Sequence, residues 1–284
     1  MKRSYIIFAA LLILIILAFI FLFKSNNTNK ETKTAEPKKV ATTQQKTEVG
    51  IEVLPSKLEN LELPKVIGGD MFIKKKGLTL VYSEAYEQPV WVAYTLTPEK
   101  LIKRANRADS FKADREVTTG TATNKDYSRS GYDKGHMAPA ADMAYSPAVM
   151  NESFLFSNVS PQKPQFNRGI WKDLEEDTRS WCRQFGELYI TTGPIFTKII
   201  ERIGPNKVAV PASYFKAILV YSQNQYWAIG FIMPNEGTNK PISSFIVPID
   251  SIEKVSGLDL YHNLPDSIEA EVESARRLPR WLLN

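Results

Sequence analysis

The chain has 284 residues, 43% of them hydrophobic, enough to bury a sizeable core and to exclude a wholly disordered or fibrous protein. Its formal charge of +5 sits near the N-terminus: residues 1–56 hold eight of the 36 Lys and Arg and four of the 31 Asp and Glu, leaving the remainder close to neutral. Bulk charge therefore gives no argument for phosphate binding, the lone Cys182 excludes an intrachain disulfide, and a histidine count of two, His136 and His262, excludes a His-rich metal centre.

Lys2 and Arg3 precede an uncharged run from Ser4 to Phe23, almost entirely Ile, Leu, Phe and Ala, which ends at Lys24. As an α-helix, Tyr5 to Phe23 would rise roughly 29 Å and match a hydrocarbon core of ~30 Å. Phe19, Phe21 and Phe23 lead directly into Lys24 with no small-residue cleavage site, so residues 1–23 read as an uncleaved signal-anchor and transmembrane helix. Lys24, Lys30 and Lys33 balance the N-terminal charges, and a short N-terminus inside with a translocated C-terminal domain is the expected orientation. Residues 24–56, rich in Lys, Thr, Asn, Gln and Glu, cannot bury enough surface to offset their ordering entropy and read as a flexible stalk.

From residue 57 to 284 the pattern is that of an α+β domain. Leu78 to Tyr82 and Val90 to Leu96 predict strands of a hairpin. Residues 98–130 are polar and mostly loop, with one helical turn expected after Thr97-Pro98. Ile170, Trp171, Leu174, Trp181 and Phe185 recur at helical spacing and predict a helix from Asn167 to Phe185, with Asn167 at its N-cap. Tyr214 to Tyr221 and Tyr226 to Met233 predict a second hairpin; Asp250 is expected to cap a helix over Ser251 to Val255 that stops at Gly257. A last helical segment, Asp266 to Leu283, should break at Pro279.

The chemistry-bearing residues gather in two places. His136 lies in Ser130-Gly-Tyr-Asp-Lys-Gly-His-Met-Ala-Pro-Ala-Ala-Asp142, where the glycines and the absence of an apolar run predict an exposed, positioned imidazole suited to general-base hydrolysis near neutral pH. His262, in a turn before Leu264-Pro265, has no acid, nucleophile or glycine cluster and reads as structural. The second place runs from Phe156-Ser-Asn-Val-Ser-Pro-Gln162 to Phe166-Asn-Arg-Gly-Ile-Trp171 and Leu174-Glu175, with Glu175 and Arg179 one helical turn apart and able to form a surface pair.

Taken in order, these segments resemble the DNA/RNA non-specific endonucleases. The family's Asp-Arg-Gly-His signature stands as Asp133-Lys134-Gly135-His136, and its Asn-Ile-Ser/Thr-Pro-Gln segment as Asn158-Val159-Ser160-Pro161-Gln162. The likeness continues through Val210-Pro-Ala-Ser-Tyr-Phe-Lys216, Gly230 to Asn235 and Ser256-Gly-Leu258, covering residues 57 to 284. The resemblance implies a central antiparallel sheet flanked by helices, with a ββα-metal motif on one face. It implies His136 as general base, Asn167 as the sole direct protein ligand of Mg²⁺ (Mn²⁺ being able to substitute), and Asn158 as a support of the site. Glu175 would orient water of the metal's shell, Arg179 would contact phosphate, and an upstream arginine would be Arg107, with Arg104 close behind. Lys134 departs from the family's arginine, keeping charge while losing the bidentate fork.

The expected activity is sequence-independent hydrolysis of DNA and RNA, since charge on the backbone phosphate is what must be stabilised. The expected location is the extracytoplasmic side of a bacterial membrane, with the mitochondrial inner membrane as the alternative, and relatives of this kind make a homodimer an expectation. Two rival readings are a catalytically silent nucleic-acid-binding module, against which stand both His136 and Asn167, and a tethered structural module, favoured by the near-neutral domain charge.

Overall fold

A computed structural model of the chain describes residues 58–66 and 71–274; the expected anchor and stalk and Pro279 lie outside them. Among the described residues no helix is long and apolar enough to cross a membrane.

The strands are β1 (Met71–Lys74), β2 (Thr79–Ser83), β3 (Gln88–Leu96), β4 (Asp133–His136), β5 (Val159–Gln162), β6 (Leu188–Ile203), β7 (Val208–Ser222), β8 (Gln225–Pro234) and β9 (Ile246–Val247). Seven form one antiparallel sheet in the order β1-β2-β3-β6-β7-β8-β9, while β4 and β5 pair separately. Period-two alternation divides the apolar residues of the large sheet between two faces. Leu80, Tyr82, Val92, Tyr94, Tyr214, Ile218 and Val220 join one core; Val81, Trp91, Ala93, Phe215, Ala217 and Leu219 join the other.

The first face is covered by α4 (Ile170–Phe185), which buries Ile170, Trp171 and Leu174 of the predicted stripe together with Thr178 and Cys182, while Trp181 and Phe185 pack against the core only partly buried. The second is covered by α5 (Ile249–Ser256) and α6 (Asp266–Glu273) through Ile249, Ile252 and Val272. The shorter helices are α1 (Asn124–Tyr127), α2 (Pro147–Ser153) and α3 (Pro164–Asn167). The α+β architecture expected from sequence is thus present, and the hairpin β7-β8 turns at Ser222–Gln225 as predicted.

Two boundaries differ from expectation. The helix predicted from Asn167 is broken: α3 ends at Asn167, and α4 starts at Ile170 behind Gly169. A Cβ at Gly169 would lie 2.5 Å from the carbonyl oxygen of Gln165, so the tight reversal between the helices admits only glycine. Helix α5 starts at Ile249 behind Pro248 instead of at an Asp250 cap, and stops as expected at Gly257, whose φ of 74° is left-handed.

The small hairpin is bolted to the large sheet by polar contacts. The hydroxyls of Ser160 and Tyr214 lie 2.8 Å apart, Tyr214 donates to the Pro161 carbonyl at 2.7 Å, and Asn235 Nδ2 donates to the same carbonyl at 3.1 Å. Apolar packing of Phe156 and Val159 on Tyr127, Ile203 and Val210 secures its other side.

Leu174 is fully buried between α4 and the sheet. Leu174→Ala is expected to lower unfolding free energy by about 2–5 kcal/mol, read as an earlier midpoint in urea denaturation with an unchanged slope.

Candidate active site

Strands β4 and β5 pair in register from Asp133↔Gln162 to His136↔Val159, and the chain returns through α3 into α4, giving a β-hairpin followed by a helix. Gly135 is required at the crossing: a Cβ there would meet the Gln162 side chain at 2.0 Å. His136 ends β4 and is 9% exposed, not the open loop imidazole that its glycine-rich flanks predict. The rings of Phe111 and Phe154 lie 5.0 and 4.9 Å from it, and its Nε2 is buried without a hydrogen-bond partner. Burial, then the nearby Arg107 charge, pull its pKa down to about 3, so the imidazole is neutral. A neutral imidazole keeps a lone pair for a proton, but with this pKa and no charge partner of opposite sign among the described residues it is a weak base.

Asn167 and Arg168 converge on Asp133, at the other end of β4. Asn167 Nδ2 donates to Asp133 Oδ2 at 2.9 Å; Arg168 Nε donates to Oδ2 at 2.7 Å and Nη2 to Oδ1 at 2.6 Å. Burial acts to raise the Asp133 pKa, but the hydrogen bonds from Arg168 and Asn167 and the Arg168 charge hold it below the ordinary carboxylate range. With Nδ2 committed, the Asn167 amide is turned so that Oδ1, which accepts no hydrogen bond among the described residues, is left as a neutral oxygen donor. A hard cation that keeps most of its water needs only such an oxygen and a substrate phosphate, so the residues fit one. Among the described residues, the cluster of three carboxylate ligand atoms lies elsewhere, on α5 and α6.

Asn158 is fully buried and touches only backbone: Oδ1 accepts from Ala138 N at 2.9 Å, and Nδ2 donates to the carbonyls of Ala138 and Ser153 at 3.0 and 2.9 Å. These bonds tie the chain just beyond His136 to the end of α2. Arg107 stacks over Phe154 at 5.0 Å, beside His136 and within electrostatic reach of Glu175, whereas Arg104 donates its backbone N–H to the Ala144 carbonyl. Lys134 donates to Asn124 Oδ1 at 2.7 Å and lies over Phe111 at 5.2 Å, tasks for which one ammonium suffices. His262 belongs to the loop packed on the opposite face, next to buried Tyr261 and Leu264.

Glu175 and Arg179 do not form the surface pair that their spacing suggests. Arg179 Nη1 donates to buried Asp142 Oδ1 at 3.0 Å, and Tyr94 donates to Asp142 Oδ2 at 2.9 Å. Burial pushes the Glu175 carboxyl upward, with the Lys216 charge opposing it first and Asp142 adding to it. Lys216, fully buried on β7 and 5.0 Å over the Trp171 ring, is pushed down by burial and held up by Glu175 and Asp142. Sequence reasoning gave Asp142 and Lys216 no role. The signal was available for Lys216: a charged residue inside an apolar strand, on the same face as Tyr214 and Ile218.

The family model described as DNA/RNA non-specific endonuclease matches residues 56–267. The chain belongs to the DNA/RNA non-specific endonuclease family. Human mitochondrial endonuclease G is 35% identical over 205 residues, covering 67% of this chain and 69% of the human protein. Nuclease C1 of Cunninghamella echinulata var. echinulata is 35% identical over 211 residues, covering 68% and 83%. A chain in the crystal structure of the EndoG/EndoGI complex superposes with a TM-score of 0.67 at 32% identity, covering 71% of this chain and 89% of that one. This endonuclease therefore shares the fold of its relatives, and its membership makes it a nuclease acting on DNA and RNA.

The lowered His136 pKa links stability to pH with a definite sign. A folded pKa depressed below the unfolded value of about 6.5 contributes stability that is present above that pH and lost progressively as pH falls toward about 3. Urea denaturation between pH 7 and pH 4 should show the endonuclease losing up to about 1.4 kcal/mol per pH unit more than His136→Asn. Parallel pH dependences of the two proteins would contradict the buried, neutral histidine.

Proposed function

We propose that the chain is a membrane-anchored, Mg²⁺-dependent endonuclease that cleaves DNA and RNA phosphodiesters without sequence preference, with His136 as general base and Asn167 as metal ligand. The observation that carries this reading is the β4–β5 hairpin, which ends β4 on His136 and begins it on Asp133, whose carboxylate ties down the Asn167 Nδ2 and leaves its Oδ1 without a hydrogen bond among the described residues. His136 takes a proton from water, which attacks phosphorus in line as the 3′-oxygen departs, leaving a 5′-phosphate. Mg²⁺, when bound through Asn167, supplies charge stabilisation at the phosphate and the departing oxygen. Glu175 orients water at the site, Asn158 holds the backbone beyond His136, and Arg107 offers the phosphate an exposed guanidinium. Arg179, tied to Asp142, acts on phosphate through its field, as a partly buried cation. Mn²⁺ fits the same oxygen donor.

The N-terminal run from Ser4 to Phe23 supports anchoring, with the catalytic domain on the extracytoplasmic side of a bacterial membrane at the end of a stalk. The mitochondrial names of the relatives from human, cow and budding yeast support the mitochondrial inner membrane as the alternative. A homodimer is part of the same proposal.

The test is cleavage of supercoiled plasmid and of RNA by the full chain, with Mg²⁺ or EDTA. Both substrates should be cut only with metal, and His136→Ala should lose on the order of 10²–10⁴ in rate. Undiminished cleavage by His136→Ala would remove the general-base assignment, and no cleavage by a folded preparation would favour the silent binding module.

The orientation of Asn167 has its own consequence. Asp133→Leu releases the amide, and the Mg²⁺ concentration for half-maximal cleavage should rise roughly 10–100-fold, the usual cost of losing a partner that orients a metal ligand. An unchanged Mg²⁺ dependence would show that Asp133 does not set the amide.

A further inference from the structure

On the opposite face of the sheet from the candidate active site, Asp250 and Glu253 of α5 and Glu273, the last residue of α6, bring their carboxylates together, with ligand oxygens all within 4.8 Å of one another. Among the described residues no Lys or Arg forms an ion pair with any of the three. Glu269 and Asp259 add further negative charge around Glu273. Three carboxylates at this separation repel one another, and burial together with these neighbours pushes the Glu273 carboxyl up to about 8; a cation among them relieves the repulsion that a proton otherwise relieves.

Two buried polar atoms also lack partners here. The Tyr261 side chain is 1% exposed, its hydroxyl makes no hydrogen bond, and the charges acting on that hydroxyl are those of Glu273 and Glu253. Glu273 Oε1 is likewise buried and unpartnered. Buried hydroxyls and carboxylates are normally satisfied; here the unpartnered hydroxyl lies within electrostatic reach of Glu273 and Glu253, and the unpartnered carboxylate oxygen belongs to the cluster itself. Glu253 is only half committed: its Oε1 accepts from Leu260 N at 2.7 Å, which holds the carboxylate in place and leaves the other oxygen free.

We propose that Asp250, Glu253 and Glu273 form a divalent-cation site of the calcium type, separate from Asn167, with the Tyr261 hydroxyl hydrogen-bonding into the cation's oxygen shell. The ligand set is all oxygen, rich in negative charge, partly open to solvent and not confined to an octahedron, which suits Ca²⁺ better than Mg²⁺ or a nitrogen- and sulfur-seeking metal. Its structural effect is to clamp α5 to α6, the two helices that cover the second core through Ile249, Ile252 and Val272. The role is stabilising and independent of hydrolysis.

The test uses the full chain stripped of metal, with Tb³⁺ as the luminescent probe and Ca²⁺ as competitor. Tyr261 lies beside the site and sensitises Tb³⁺ emission, and Asn167→Ala silences the other candidate cation position. Saturable emission that Ca²⁺ displaces, kept in Asn167→Ala and weakened at least tenfold in Glu273→Gln, is the expected result. Excess Ca²⁺ should raise the melting temperature of the unaltered chain by roughly 5 °C or more at about a hundredfold over Kd, and that of Glu273→Gln much less. Asp250→Asn, at an exposed position, supplies the same affinity comparison if Glu273→Gln fails to fold. No saturable binding, or affinity unchanged in the folded variants, would overturn the proposal.

Discussion

The carboxylate of Asp133 joins the two halves of the candidate active site. It stands at the start of the strand that ends on His136, and it accepts hydrogen bonds from Asn167 and, in bidentate fashion, from Arg168, at the junction of α3 and α4. A neutral imidazole and an amide oxygen are thereby held on one hairpin–helix unit. Because Arg168 is mostly exposed, its ion pair alone is worth little. Its importance is geometric: it fixes the carboxylate that in turn decides which end of the Asn167 amide faces outward.

Beneath this unit the fold tolerates an unusual concentration of buried charge. Asp142, Lys216, Arg179 and Glu175 sit between α4 and the first face of the sheet, with Tyr94 and Trp171 as neighbours. Removing charge from water is costly; Arg179 and Asp142 offset it by direct pairing, whereas Lys216 Nζ is buried without a hydrogen-bond partner and is held only by the nearby charges of Glu175 and Asp142 and by the Trp171 ring. Such a cluster gives the site a field set by the fold and little affected by solvent. It also explains how a domain of near-neutral total charge can act on a polyanion: what matters is which charges are held at the site, and bulk charge carries no information about that.

The sequence made much of the scaffold legible. Alternation in Leu78 to Tyr82, Val90 to Leu96 and Tyr214 to Met233 located four strands, because a sheet covered on both faces still divides its side chains by parity. The stripe from Ile170 to Phe185 located α4. The ordered signatures around His136, Asn158 and Asn167 pointed to the DNA/RNA non-specific endonuclease family, to which the chain belongs. The missed boundary, at Gly169, arose because a helical stripe does not register a reversal forced by close backbone approach.

The sequence by itself determined which residues could do chemistry and where four strands and the long helix lie, since both follow from side-chain type and local spacing. Tertiary structure alone decided their state. His136 is buried and neutral because Phe111 and Phe154 close over it from distant segments. Arg179 serves Asp142 instead of Glu175, and Lys216 reaches Trp171 across the core. Those partners are 37 and 45 residues apart in the chain, and neither propensity nor periodicity carries the distance between side chains that only packing brings together.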